Sequence, residues 1–150
     1  MANTYSSILI HIVFSTKNWQ LWISGELQKR LYPNIGGIAR EIGFKALCIG
    51  GTDNHVHVLI SLNPTINIAK AVQLMKGGSS KWIHETFPEE KQFAWQEGYG
   101  AFSIGLSQMY QTRKYIENQE THHKKVSFQD EYLEFLRKNN IDYDEKYVFG

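Results

Sequence analysis

Residues 44–62 read "FKALCIGGTDNHVHVLISL", two apolar, β-branched runs separated by "GTDN". Glycine, aspartate and asparagine between two such runs are turn chemistry, so 44–51 and 55–62 are expected to form an antiparallel hairpin. Side chains two apart on a strand point to the same face, with Cα atoms about 6.6–6.8 Å apart. His55 and His57 therefore stand side by side, while Val56 and Val58 face the other way. Two imidazoles on a rigid strand make half of a metal site. The same pattern also describes two ordinary sheet-face histidines, and the hairpin alone leaves both readings open.

Upstream, "YSSILIHIVFST" (5–16) reads as another strand. A helical pattern follows, with Leu27, Leu31, Ile35, Ile38 and Ile42 at spacings of three and four. Ser24 is its expected N-cap, and Glu26 lies in its first turn. Pro33 and the Gly36-Gly37 pair are expected to kink or split it. Downstream, Pro64-Thr65 opens a second helix with Ile68, Val72 and Met75 on one face, interrupted by "KGGSSK" (76–81) before "WIHETF". "FAWQEGYGAFSIG" (93–105) reads as a fourth strand, and a third helix runs from about Gln108 to His122. A fourth starts at Ser127, which forms a capping pattern with Asp130 and is followed by Tyr132, Leu133 and Leu136. The order β-α-β-β-α-β plus two helices specifies an α+β fold of the split βαβ (ferredoxin- or RRM-like) kind. One antiparallel sheet carries helices on one face, with C-terminal helices at about 107–139, and the whole of 1–150 is expected to be one domain.

Composition narrows the function classes. The 150 residues are 42% hydrophobic with net charge +1, so bulk electrostatics would not coat nucleic acid, and any such role needs local basic patches. Lys17, the Lys76/Lys81 pair, Arg113, Lys114, Lys124 and Lys125 are the candidates, each also readable as a solvated face. No apolar run reaches the roughly 18 residues of a membrane span. The opening "MANTYSS" lacks the basic and apolar segments of a secretory signal. Cys48 is alone, and a single thiol suits a reducing cytoplasm, the expected location.

The third helix carries "RKYIENQETHHKK", in which Tyr115 and Gln119 are i and i+4 and share a face. A phenol beside an amide oxygen pairs a nucleophile with a metal ligand, although this spacing is common on surface helices. "KGGSSK" lacks the spacing of a GxxxxGK[ST] phosphate loop.

"DNHVHVLISL", "WQEGYGAFS", "YIENQETHHKK", "FQDEYLEFL" and the opening "IHIVFSTKN" together resemble the single-tyrosine HUH transposases of bacterial insertion sequences, the IS200/IS605 type. HUH denotes two histidines around a bulky hydrophobic residue, here His55-Val56-His57. The resemblance runs in the same order from about residue 5 to 149. It implies that His55, His57 and Gln119 bind a divalent cation, Mg2+ or Mn2+, and that Tyr115 is the nucleophile. Single-stranded DNA, folded as hairpins at element ends, would be cut through a 5′-phosphotyrosine link that leaves a free 3′-hydroxyl. The resemblance further implies a homodimer with composite active sites.

A tyrosine hydroxyl has a reference pKa near 10 and needs help to attack at neutral pH. The covalent link would conserve the phosphodiester bond energy, so no nucleotide-binding motif is required. Lys17, Arg113, Lys114, His122, Lys124 and Lys125 are the expected DNA contacts. Asp53 is a candidate to orient an imidazole, Gly105 a candidate hinge, and Trp95 and Tyr99 candidate stacking platforms, each with a plain structural alternative. Trp19, where the resemblance leads one to expect a basic residue, and Pro33 depart from the pattern. Two further readings stay open: a non-catalytic nucleic-acid-binding module and a zinc hydrolase built on the histidine pair.

Overall fold

Strand β1 (Leu9–Ser15) is buried along its whole length, because both of its faces are covered. The computed structural model describes residues 3–150. β1 pairs antiparallel with β3 (His55–Ser61) on one side and β4 (Gly100–Ile104) on the other. β2 (Lys45–Gly51) pairs antiparallel with β3, completing a four-stranded sheet of order β2-β3-β1-β4. The expected hairpin is therefore present, with one irregularity between Ala46 and Cys48.

Strand alternation sorts the two faces. Ile10, Ile12 and Phe14 of β1 join Val56, Val58 and Ile60 of β3 in a core closed by α1 (Gly25–Ile42) and α2 (Ile68–Thr86). Leu27, Leu31, Ile35 and Ala39 of α1 are buried there, which is what their helical spacing requires. On the other face, Val13 and Phe102 meet Phe128, Tyr132 and Leu136 of the last helix, α5 (Phe128–Lys138). Ser127 caps α5 as expected, accepting a hydrogen bond from the Asp130 N–H at 3.1 Å. No helix among the described residues is long and apolar enough to cross a membrane.

Several expectations need correction. α1 runs unbroken through Pro33 and the glycine pair. Ser24 does stand at its N-cap, but without a side-chain hydrogen bond. α2 also continues through "KGGSSK". Gly78 faces α1 so closely that a methyl group there would come within 2.8 Å of Ile38 Cδ1, and the Ser79 hydroxyl donates to the Met75 carbonyl at 2.6 Å. Gly78 serves helix–helix approach rather than helix breaking. The strand expected over 93–105 is regular only from Gly100. Before it, Trp95 makes an isolated bridge to Thr16, and Gln96 turns its side-chain oxygen onto the Ser15 N–H at 2.6 Å. A side chain has taken the place of a ladder bond.

The third helix divides at Asn118, whose φ and ψ of −99° and 21° are not helical, into α3 (Met109–Glu117) and α4 (Gln119–His122). α3 lies directly on β2. A Cβ at Gly50 would sit 2.3 Å from the Ile116 carbonyl oxygen, so only glycine admits the helix at this distance. Trp19, in place of the expected basic residue, packs edge-on against Phe149 with ring centroids 5.3 Å apart.

Two glycine substitutions should act in opposite directions. Gly50→Ala forces α3 off the strand and should cost about 1–3 kcal/mol in urea unfolding. Gly77→Ala, where no atom lies within 4 Å of the added methyl, should stabilise by about 0.5–1 kcal/mol.

Candidate active site

The histidine pair lies on the face of the sheet covered by the C-terminal helices. β3 presents His55 and His57 there, both with no solvent exposure, while its valines enter the opposite core. The register places His57 opposite Val13, and His11 of β1 reaches His57 diagonally, with His11 Nε2 2.7 Å from His57 Nδ1. Burial first, and the neighbouring His57 second, push His11 down to about 3, so it remains a neutral hydrogen-bond partner. His11 fixes the ring of His57 from behind.

Above the pair, α3, α4 and α5 deliver the remaining groups. Gln119 is buried with its side-chain oxygen 2.8 Å from His55 Nε2. Its amide nitrogen donates to Glu131 Oε2 at 3.2 Å and to the Tyr115 carbonyl at 3.3 Å, which fixes which end of the amide faces the histidine. The Tyr115 hydroxyl donates to Glu131 Oε2 and lies 3.4 Å from His122 Nε2. The expected quartet of His55, His57, Tyr115 and Gln119 is thus brought together within one chain, from β3 and the later helices α3 and α4.

Glu131 was not anticipated, and it sits in the middle. Its Oε1 accepts from His57 Nε2 at 2.9 Å and lies 3.6 Å from His55 Nε2. Its Oε2 lies 3.1 Å from His123 Nε2 and 3.4 Å from His122 Nε2. Burial raises the affinity of this carboxylate for a proton, but the close imidazoles of His123 and His57 and the Tyr115 hydroxyl outweigh it, so the group is held ionised. The reverse applies to Tyr115. Burial, then the negative charge of Glu131 and its hydrogen bond, raise the phenol above its ordinary value.

The sequence did carry a signal for Glu131. Phe128, Glu131, Tyr132 and Phe135 fall at i, i+3, i+4 and i+7, so an acidic residue occupies an inward position of an amphipathic helix. His123 likewise lies among the candidate ligands rather than with the exposed Lys124 and Lys125 beside it.

The donor set suits a cation. His55, His57, His123 and Glu131 each offer one ligand atom, and these atoms all lie within 4.8 Å of one another. His55 shows why something positive belongs there. Burial, followed by repulsion from His57, lowers it to about 3, so near neutrality the ring carries a single N–H. Yet its Nδ1 lies 2.9 Å from the Asn54 side-chain oxygen and its Nε2 lies 2.8 Å from that of Gln119. Two oxygen acceptors face one proton. A cation on the Nε2 side removes the conflict, leaving the proton at Nδ1 for Asn54 and the lone pair for the metal. His123 Nε2, buried and lacking a hydrogen-bond partner, is a second vacant donor beside it.

The other predicted residues fall as follows. Asp53 is exposed, and its side chain does not orient His55; its flanking residues Thr52 and Asn54 do, at 3.0 and 2.9 Å. Trp95 belongs to the core, edge-on to Phe14 and Phe93 at 4.8 Å each, and Tyr99 packs partly buried on the same core. Lys76 points inward onto the carbonyls of Glu97 and Gly98 at 3.2 and 2.9 Å. Lys17, Lys114, Lys124 and Lys125 are exposed and Arg113 is partly exposed. His122 faces Tyr115. Gly105 begins the short turn into α3 with an ordinary negative φ of −83°. Beside Tyr115, a groove of about 860 Å³ runs between β4, α3 and α5, lined by His11, Phe102, Gln111, Phe135 and Arg137.

Comparison with known proteins bears on this site directly. The family model described as "Transposase IS200 like" matches residues 4–119. The ISDra2 transposase TnpA of Deinococcus radiodurans is 25% identical over 114 residues, covering 73% of this chain and 81% of that protein. Among solved structures, one described as a transposase from Deinococcus radiodurans R1 superposes with a TM-score of 0.67 at 23% identity, over 79% of this chain and 95% of that one. A REP-associated tyrosine transposase bound to a REP hairpin superposes with a TM-score of 0.62 at 15% identity, over 84% of this chain and 74% of that one. These two structural likenesses concern the fold. The matched family span contains His55, His57, Tyr115 and Gln119 and ends before His123 and Glu131.

Mn2+ should raise the melting temperature, and EDTA should reverse the effect. At a hundredfold excess over the dissociation constant the gain is about 2.7 kcal/mol, or several degrees for a chain of this size. His55→Ala with His57→Ala should abolish the metal-dependent shift in a thermal melt.

Proposed function

The chain belongs to the IS200-like transposase family, and from that premise we propose that it cuts and rejoins single-stranded DNA through a covalent Tyr115–5′-phosphate link. The observation that carries this reading is the meeting of the Tyr115 hydroxyl with a buried His/Gln/Glu cluster whose donors lie within ligand distance of one another. A binding module would need neither a nucleophile nor a ligand set at this point. The zinc-hydrolase reading gains Glu131 as an acid/base group, but that group is already committed to the tyrosine. Family membership and the phenol together favour strand transfer.

His55, His57 and Gln119 hold the cation in this reading, with His123 and Glu131 completing the donor set. When bound, Mg2+ or Mn2+ polarises the scissile phosphate and stabilises charge on the displaced 3′-oxygen. A carboxylate and imidazoles in one set suit Mn2+ better than Mg2+. With the cation in place, His11 and Asn54, which face the Nδ1 atoms of the two imidazoles, would accept hydrogen bonds from the ring N–H groups there and leave Nε2 to the metal. Tyr115 attacks phosphorus, and the 3′-hydroxyl that leaves is free to return, or another to replace it.

The DNA reaches Tyr115 along the groove between β4, α3 and α5. Lys17, Arg113, Lys114, His122, Lys124 and Lys125 remain the proposed phosphate contacts. The REP-bound relative supports a hairpin-forming end as substrate. In the proposed homodimer with composite sites, one chain's Tyr115 would serve the partner's histidine pair, whereas within this chain the Tyr115 hydroxyl meets Glu131.

A labelled single-stranded oligonucleotide with a hairpin end, incubated with Mn2+, should give a protein–DNA adduct that survives denaturation. Tyr115→Phe and EDTA should each eliminate it; an adduct that persists in Tyr115→Phe sinks the assignment. Mixing Tyr115→Phe with His57→Ala protein tests whether sites are shared. A site formed within one chain stays silent in the mixture, whereas a composite site regains the adduct on the His57→Ala chain.

A further inference from the structure

Glu131 offers two oxygens to two different sets of neighbours. Oε1 is turned to the histidine pair, 2.9 Å from His57 Nε2 and 3.6 Å from His55 Nε2. Oε2 is turned to the nucleophile, accepting the Tyr115 O–H and, at 3.2 Å, the Gln119 amide N–H. Oε1 is thus the oxygen nearest the histidine pair, while Oε2 faces the phenol together with Gln119 and, at 3.1 Å, His123 Nε2. His122 Nε2 lies 3.4 Å from the same phenol, and the Gln119 side chain also reaches it.

The placement is rigid. Glu131 is 3% exposed, and its helix neighbours Phe128 and Tyr132 are anchored in the second core. The Ser127 cap fixes the register of α5. A general base must lie within hydrogen-bond reach of the proton that it removes, and this one does so before any substrate arrives.

Resting on the tyrosine-nucleophile reading, we propose that Glu131 is a catalytic residue that takes the Tyr115 proton during strand cleavage and returns it during rejoining. As the bond from the Tyr115 oxygen to phosphorus forms, the O–H proton passes to Glu131 Oε2. The bond from phosphorus to the 3′-oxygen breaks with its electron pair on that oxygen, which takes a proton from solvent water. In the return step the attacking 3′-hydroxyl gives its proton to solvent, and the departing Tyr115 oxygen recovers the one stored on Glu131. No other reactant is consumed.

The test compares two phenols in two proteins. Glu131→Gln keeps the size and an oxygen acceptor but cannot take the proton. It should slow adduct formation by about 10²–10⁴-fold, the usual contribution of a general base. Replacing Tyr115 with 3,5-difluorotyrosine supplies a more acidic phenol that depends less on a base, so the Glu131→Gln loss should shrink at least tenfold there. A residue that only ligates the cation or supports the helix costs the same with either phenol. Equal losses, or a Glu131→Gln protein that cleaves at the unaltered rate, overturn the proposal. If Glu131→Gln fails to fold, Glu131→Asp, which retains the buried charge but retracts it from the phenol, is compared with the same two nucleophiles. An unaltered protein that forms no Tyr115-linked adduct refutes the tyrosine reading itself, whereas an adduct with equal losses refutes only the role of Glu131.

Discussion

A carboxylate withdrawn from water must be surrounded by donors, and the C-terminal third of this chain is arranged around that requirement. Glu131 has its partners on β3 and on the consecutive helices α3 and α4, which lie far from that strand in sequence. Removing one partner would leave a buried charge undercompensated, which typically costs several kcal/mol. The group therefore ties the helix that bears it to the tyrosine helix and to the histidine strand. The second core around it, of Val13, Phe102, Phe128, Tyr132 and Leu136, keeps the site dry. Low polarity strengthens each hydrogen bond that is made and penalises each that is missed.

The sheet beneath is the fixed reference for this arrangement. β1 is central and covered on both sides, so its inward side chains are set by packing on one face and by the site on the other. Strand alternation does the sorting: Val56 and Val58 anchor β3 in the larger core, and the same pleat holds His55 and His57 toward the helices. Imidazoles held this way lose little freedom on binding a ligand.

Much of this was legible in the amino-acid order because it depends on local periodicity. The turn at 51–54, the alternation of β3 and the i,i+4 relation of Tyr115 to Gln119 are read from spacing alone. What escaped depends on contacts between distant segments. The glycines at 77 and 78 look like helix breakers until Ile38 of α1 is seen against Gly78. The strand expected before Gly100 gave way to the Gln96 side chain, which competes successfully for the Ser15 N–H. The break at Asn118 leaves the i,i+4 pair intact while redirecting His122 and His123 toward Glu131. Glu131 itself was hidden because an acidic residue on a helix is ordinarily solvated, and only its position within an apolar stripe marks it as inward.

The seat of α3 on Gly50 has a mechanical consequence. Ile116 is the one buried residue of that helix, and beneath it lies bare strand backbone rather than interlocking side chains. Flat contact of this kind resists compression but offers few ridges against lifting. Besides that seat, the Tyr115 ring packs on Phe135, and the Tyr115 hydroxyl and the Gln119 amide of the adjoining α4 both bond to one carboxylate. In the proposed reaction, a bond from that hydroxyl to phosphorus would remove one of those two tethers, so the chemical step would loosen the helix that performs it.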